Sequence, residues 1–441
     1  MKRNLFFSVF LAMLLSPALP AAVFAEGFAV YEWSAAGTSM GDAYMFAEKD
    51  PAVIAYNPSQ LTKLDGSYLS VGFSWINPSG TSSAKAGVLN QGVPMRTDSN
   101  YDPCAAPNLF YAMKAGKNSW WGIGIFSRFG NRSQQNDDWY GRYDMTYAGL
   151  TGVTIQPTYA FKVNDKLSVG LGLDINYIKM RMKKATPAID DRFKILNPLG
   201  YIGDVRSDLE GDSTGLGWVI SMMYDFTPKT SLAVVYRSRI EQTMDADSDF
   251  DYMLNPIAAY FIPSAMMPGS SGAHGKVTLP DSLTIGIGHK FNDRTRIELN
   301  AIWTNWSTYD ALNITFDKGP LSGTETTVSS IKDWKASWRF GIGIQHKLSE
   351  RWSIMGGYVW DQTPIPDNRV DFSVPTGDRS SLSVGFQYRP NEYSEWTLGY
   401  TAVWAGNRHV DSQYGGLDFT DAEVTDGMMQ FISLGCSIKL K

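Results

Sequence analysis

The chain has 441 residues, with 39 Lys or Arg against 44 Asp or Glu and a formal charge of −5. That acidic balance argues against a nucleic-acid partner. Cys104 and Cys436 are too few and too far apart for a disulfide framework, so both are read as free thiols.

Lys2 and Arg3 precede an apolar run from Leu5 to Leu19, and Val23-Phe24-Ala25 supplies the small or tolerated residues of a cleavage site. The pattern predicts a signal peptide over 1–25, and its removal makes the remaining chain slightly more acidic. No later segment has the run of apolar residues, about 18 or more, that a membrane helix needs. Barrel strands need only about 9–11 residues each and show lipid every second side chain, so a membrane protein is not excluded.

Residues 26–66 are rich in Ala, Gly, Ser and Met and are read as a few short helices ending in "AYNPSQLTKLDG", Ala55 to Gly66. Asn57-Pro58 has the character of a turn that stops a helix. From residue 67 onward the chain reads as strand. Fourteen strands are predicted, starting near Ser67, Asn108, Ser119, Thr151, Lys166, Thr214, Thr230, Asp281, Arg294, Lys335, Arg351, Arg379, Ser394 and Met428. Large apolar and small or polar residues alternate in Trp338 to His346, Leu382 to Tyr388, Trp396 to Trp404 and Ile432 to Ile438. Short turns such as Asn164-Asp165, Asn292-Asp293 and Ser349-Glu350 alternate with long connections such as Lys183 to Asp212 and Thr243 to Lys276. Short turns at one end and long loops at the other are the habit of an outer-membrane barrel. The expected fold is therefore all-β: a 14-stranded antiparallel transmembrane barrel over 67–441, with 26–66 as a short-helical plug in its lumen.

One strand breaks parity. From Leu167 to Ile175 the odd positions are apolar, but after Tyr177 the apolar positions are Ile178, Met180 and Met182, with Lys179 and Arg181 opposite. Either a bulge near Asn176 turns the two cations into the lumen, or the strand simply leaves the membrane there. Further on, "YMLNPIAAYFIPSAMMPG" is unusually apolar for an outer connection. Its Phe261, Ile262, Met266 and Met267 suit either a first apolar contact for cargo or a small core folded onto the barrel mouth. Asp245, Asp247, Asp249 and Asp251 alternate as a solvated face or a loose holder of divalent ions, and no metal site or cofactor is indicated.

With these features in place the chain resembles the FadL/TodX (OMPP1) family of outer-membrane transporters of long-chain fatty acids and hydrocarbons. The likeness runs through "GFAVYEWSAAGTSMGDAYMFAEKDPAVIAYNPSQLTKLDG", "LSVGLGLDINY", "YRSRIE", "LPDSLTIGIGHKF", "WSTYDAL", "WKASWRFGIGIQHKLSERWSIMGGYVWDQTPIPDNRV" and "VPTGDRSSLSVGFQY". It implies capture of cargo in an outer-loop groove, transfer to a pocket in the barrel, movement of the N-terminus, and sideways release beside a kinked third strand. Carried over, the pocket floor is Gly27-Phe28, the plug motif Asn57-Pro58-Ser59, and the release strand Ser119 to Phe126 with Gly122 and Gly124. The basic positions matching those that hold a fatty-acid carboxylate are Lys179, Arg181, Lys335 and Arg339. Ser59 stands where the family motif has Ala, and the chain ends on Lys441 where such barrels finish on an aromatic residue.

The resulting expectation is passive uptake of hydrophobic molecules by a monomeric outer-membrane protein in contact with lipopolysaccharide. Burial is worth about 0.8 kcal/mol per methylene, so a long acyl chain gains on the order of 10 kcal/mol by staying out of water. A dry pocket conserves that gain and an open pore forfeits it. No phosphate-binding loop or energy-coupling segment is evident. The four cations tilt the reading toward fatty acids, with aromatic or aliphatic hydrocarbons as the alternative. A lipid hydrolase is disfavoured because His274, His289, His346 and His409 form no local catalytic constellation. A general porin is disfavoured by the plug. Lumenal Lys and Arg also have a structural role open to them, pairing with plug carboxylates such as Asp42, Glu48 or Asp50.

Overall fold

A computed structural model describes residues 27–85, 96–100, 103–195, 198–414 and 417–440. The predicted signal peptide and the terminal Lys441 lie outside the described residues. Fourteen strands close into an antiparallel barrel. In chain order they are β1 Ser67–Lys85, β2 Cys104–Lys114, β3 Ser119–Phe126, β4 Tyr147–Lys162, β5 Leu167–Ile189, β6 Tyr201–Thr227 and β7 Thr230–Arg237. The second half is β8 Ser282–Lys290, β9 Thr295–Thr304, β10 Ser337–Lys347, β11 Trp352–Asp361, β12 Arg379–Asn391, β13 Ser394–Ala405 and β14 Leu417–Leu440. Each pairs with the next, and β14 closes on β1 from Ser67↔Leu440 to Lys85↔Asp421. Closure removes the open edges that a sheet in lipid could not leave unpaired. Further short strands, such as Gly130–Gln134 and Ile240–Leu254, prolong the wall at the long-loop end.

The alternation predicted from sequence is the lipid face. Trp338, Phe340, Ile342 and Ile344 point outward, as do Leu382, Val384 and Phe386, while Arg339, Ser381 and Ser383 are buried inside. Aromatic pairs mark both rims, with Trp352 and Tyr388 at 4.5 Å near the short turns and Trp218 and Tyr236 at 5.3 Å toward the long loops. Such girdles sit at the two membrane–water boundaries. Cys104 and Cys436 are both buried.

The register of β5 against β4 and β6 shows no bulge near Asn176. The strand leaves the membrane instead, so Leu171, Leu173, Tyr177 and Lys179 all share the outer face. The placement of Lys179 and Arg181 in the lumen is therefore corrected. Above the bilayer the outside is water and the inside packs loop residues, so the polarity of the two faces inverts without any change of parity.

The plug fills the lumen. Its first helix, Ala35–Ser39, is capped by Ser34, whose Oγ accepts from the Gly37 amide at 3.0 Å. A second, Val53–Tyr56, runs into a 3-10 turn, Pro58–Lys63, with proline in its first position. The wall accommodates this mass with small inward residues. A Cβ on Gly170 of β5 would stand 2.5 Å from the Ser59 amide nitrogen, so the plug backbone touches the wall backbone there.

Candidate functional site

The third strand is broken. β3 pairs with β2 only from Lys114↔Trp120 to Leu109↔Ile125. Its pairing with β4 ends at Phe126↔Thr154 and resumes in the outer piece at Gly130↔Thr151. Across the break, residues 127–129 turn toward the plug. The Val30 amide donates to the Arg128 carbonyl at 2.8 Å, and the Gly130 amide donates to the Phe28 carbonyl at 2.9 Å. The N-terminal segment thus takes the place that β2 would hold in an unbroken wall. Gly122 and Gly124 lie before the break, in the regular ladder, where added Cβ atoms would meet Ile54 at 2.7 Å and Phe110 at 2.9 Å.

Phe28 sits in an aromatic cage. Its ring centroid lies 4.6 Å from Trp306, 5.5 Å from Tyr309 and 5.7 Å from Trp334, with the first two edge-on, and Phe129 of the break is 6.2 Å away. Gly27 adopts φ +58°, and a Cβ there would come within 2.5 Å of Trp334 and 2.7 Å of Trp306. Only glycine combines that backbone with that clearance. The indole nitrogens of Trp306 and Trp334 are buried without an acceptor among the described residues.

Toward the long loops a cleft open to solvent lies between β1, β13, β14 and the outer piece of the broken strand. Trp139, Phe372, Val403, Val424, Met428 and Met429 supply its apolar surface, and no charged side chain lines it. Val403 and Met429 also belong to an apolar cluster with Ile76, Phe431 and Val30. Apolar contact is therefore continuous from the cleft to the segment that carries Phe28.

The charged groups are committed elsewhere. Arg339, on β10, is buried and pairs with plug residue Asp42 at 2.7 Å, with its guanidinium 4.7 Å from the Tyr31 ring. Lys335 precedes β10 and is exposed. Lys179 pairs with Glu210 at 2.5 Å and Arg181 with Asp208 at 2.7 Å on the outer surface. Near the break, Asp174 accepts from Arg128 and, at 3.3 Å, from Arg237, which also donates 2.5 Å to the plug carbonyl of Ala55. Beside the loops, Lys332 pairs with Asp371 at 2.5 Å. Burial alone would raise the Asp371 carboxyl, but Lys332 and Ser373 hold it below its ordinary value.

In the plug motif, the Asn57 amide donates to the Met45 carbonyl at 3.0 Å and the Ser59 hydroxyl to Asn57 at 2.6 Å, while Pro58 opens the 3-10 turn. The outer loop folds in part onto a small core of its own. Ile262 is buried, with Met266 and Met267 packed on the same small core, whereas Tyr260 and Phe261 remain exposed. Sequence reasoning missed Arg128, Asp174, Arg237 and the cage tryptophans. Trp306 lies inside the quoted "WSTYDAL" and Trp334 directly before Lys335, but nothing in their spacing shows that they meet.

A family model described as outer membrane protein transport protein (OMPP1/FadL/TodX) matches residues 18–429. The chain belongs to this family. A long-chain fatty acid transport protein of Escherichia coli is 23% identical over 393 residues, covering 85% of each chain. A putative outer membrane protein of Neisseria meningitidis is 26% identical over 416 residues, covering 89% of each. Among solved structures, a Pseudomonas aeruginosa FadL homologue superposes with a TM-score of 0.83 at 18% identity, over 94% of this chain and 100% of that one. The Ralstonia pickettii toluene transporter TbuX gives 0.65 at 17% identity, over 92% and 98%. At those identities the superpositions establish the fold. As a member of the FadL/TodX family the chain is an outer-membrane barrel for passive transport of hydrophobic small molecules, and not an enzyme.

Proposed function

We propose that this transporter carries neutral hydrophobic molecules, monoaromatic hydrocarbons foremost, rather than fatty-acid carboxylates. The observation that carries the reading is the uncharged lining of that cleft. A carboxylate brought there would lose its hydration with no cation to replace it, a cost of several kcal/mol. The cations that favoured fatty acids do not serve the cleft: Lys179 and Arg181 are paired on the outer surface, Lys335 is exposed, and Arg339 holds the plug. In this reading cargo collects at the exposed Tyr260 and Phe261, enters the cleft between the loops and β14, and leaves sideways where β3 parts from β2. Retreat of Gly27 and Phe28 opens that last step, and Asn57-Pro58-Ser59 keeps the rest of the plug in place. The existence of toluene transporters among the structural neighbours is in keeping with it.

Equilibrium binding to the detergent-purified protein tests the proposal, with toluene, a C16 fatty acid and its methyl ester as ligands. Toluene is expected to bind, to bind less well to Trp139→Ala, and acid and ester are expected to behave alike. Acid binding at least tenfold tighter than ester, with the difference lost in Arg339→Met, would return the protein to the fatty-acid branch.

A further inference from the structure

Resting on that reading, we infer that Trp306 makes the Phe28 cage a receptor for an aromatic ring bearing a hydrogen-bond acceptor, in preference to the bare hydrocarbon. The Phe28 side chain is a benzyl group, chemically a tethered toluene. It is held by edge-on contacts with Trp306 and Tyr309, the arrangement that ring quadrupoles favour. The space it occupies therefore has the size and polarity of one substituted benzene.

What Phe28 does not supply is an acceptor. Buried indole N–H groups in native structures nearly always have a partner, and leaving one without a partner is costly. Here two of them, in adjoining rings 5.1 Å apart, have none among the described residues. Their position is informative. The edge of Trp306 nearest the Gly27 backbone is Cζ2 and Cε2, at 2.7 and 2.9 Å from a built Cβ, and Cε2 is the carbon bonded to the indole nitrogen. The Trp306 N–H thus borders the volume that Gly27 and Phe28 vacate when the N-terminal segment withdraws. An aldehyde, ester or ether oxygen on an aromatic cargo would satisfy the donor that toluene leaves unsatisfied. Trp306 is then a specificity determinant, distinct from the apolar cleft that admits cargo of either kind, whereas Trp334 meets that volume with Cζ3, away from its indole nitrogen.

The test uses the full-length protein with Phe28→Ala, which opens the cage. An apolar cavity of this kind is expected to take up a benzene-sized ligand. Toluene and benzaldehyde are compared because they are nearly isosteric and differ in the acceptor. In Phe28→Ala, benzaldehyde is expected to bind about 5- to 10-fold more tightly than toluene, the worth of one satisfied donor. Adding Trp306→Phe, which keeps the ring and removes the N–H, is expected to bring the ratio to about 1. A control with Tyr309→Phe is expected to preserve it. The ratio, rather than either affinity, is the readout, so general loosening of the cage does not imitate the effect. Equal binding of both ligands by Phe28→Ala, or a preference that survives Trp306→Phe and Trp334→Phe together, would overturn the inference while leaving the cage as a cargo site. Failure of Phe28→Ala to bind either ligand better than the parent protein would overturn the cage as a cargo site as well.

Discussion

Gly27→Ala isolates the contact between plug and wall. At φ +58° an alanine costs about 1–2 kcal/mol more than glycine. Its Cβ would lie 2.5 Å from Trp334, whose ring is braced by Trp306 at 5.1 Å and Tyr309 at 5.0 Å and has little room to retreat. Overpacking of that kind adds about 1–3 kcal/mol. The sum, about 2–5 kcal/mol, is comparable to what burying one phenylalanine side chain contributes, about 1.5–3 kcal/mol. Phe28 should leave its cage for a substantial fraction of the time. The amides of Val30 and Gly130 report this, because they donate to Arg128 and Phe28 across the break. Their hydrogen exchange, followed by mass spectrometry in detergent, is expected to accelerate by roughly 30-fold or more, since each 1.4 kcal/mol is tenfold. Gly269→Ala, where an added Cβ meets nothing within 4 Å, is the matched control and should leave both rates unchanged. Exchange in Gly27→Ala within twofold of the parent would refute the argument that this glycine sets the closed position.

Two further outcomes are expected. Arg339→Met strands the buried Asp42 carboxylate without its ion-pair partner and should destabilise the protein by about 3–5 kcal/mol, whereas Asp42→Asn combined with Arg339→Met should recover at least half of that; calorimetry of the four proteins in one detergent checks both. The second concerns pH. The folded value of Asp371 lies below the unfolded carboxylate value of about 3.9. Its pairing with Lys332 therefore adds stability that is fully present above about pH 4 and disappears as pH falls through the lower, folded value. Near-ultraviolet dichroism should show the loops rearranging in that acid window, and Asp371→Asn should remove this part of the pH dependence.

Much of the fold is legible because the bilayer imposes a strict period of two on whatever faces it, as in Leu382, Val384 and Phe386. Where strands rise above the bilayer that rule lapses. β6 starts at Tyr201 rather than near Thr214, and β14 at Leu417 rather than near Met428, because their outer halves alternate around water and loop residues instead of lipid. The same lapse decides between the two readings of Lys179 and Arg181 in favour of a strand that leaves the membrane: Ile178, Met180 and Met182 are apolar because they face packed loops. The strand expected to start near Lys335 begins at Ser337, which leaves Lys335 exposed in the connection before it. The pairing of Arg339 with Asp42 was among the partners the sequence offered, since a cation on a lumenal position beside an acidic plug has few other fates. The convergence of Phe28, Trp306, Tyr309 and Trp334 was not, because it joins segments hundreds of residues apart that carry no shared periodicity.

The broken third strand also bears on how the protein is made. Among the described residues its carbonyl at Arg128 and amide at Gly130 are partnered by residues 28–30, so the N-terminal segment completes that stretch of wall. That segment leads directly into β1, the strand that must meet β14 to shut the cylinder. Seating the plug and shutting the barrel are therefore linked through one short connection, because the residues that complete the broken strand are tethered to one partner of the closing seam.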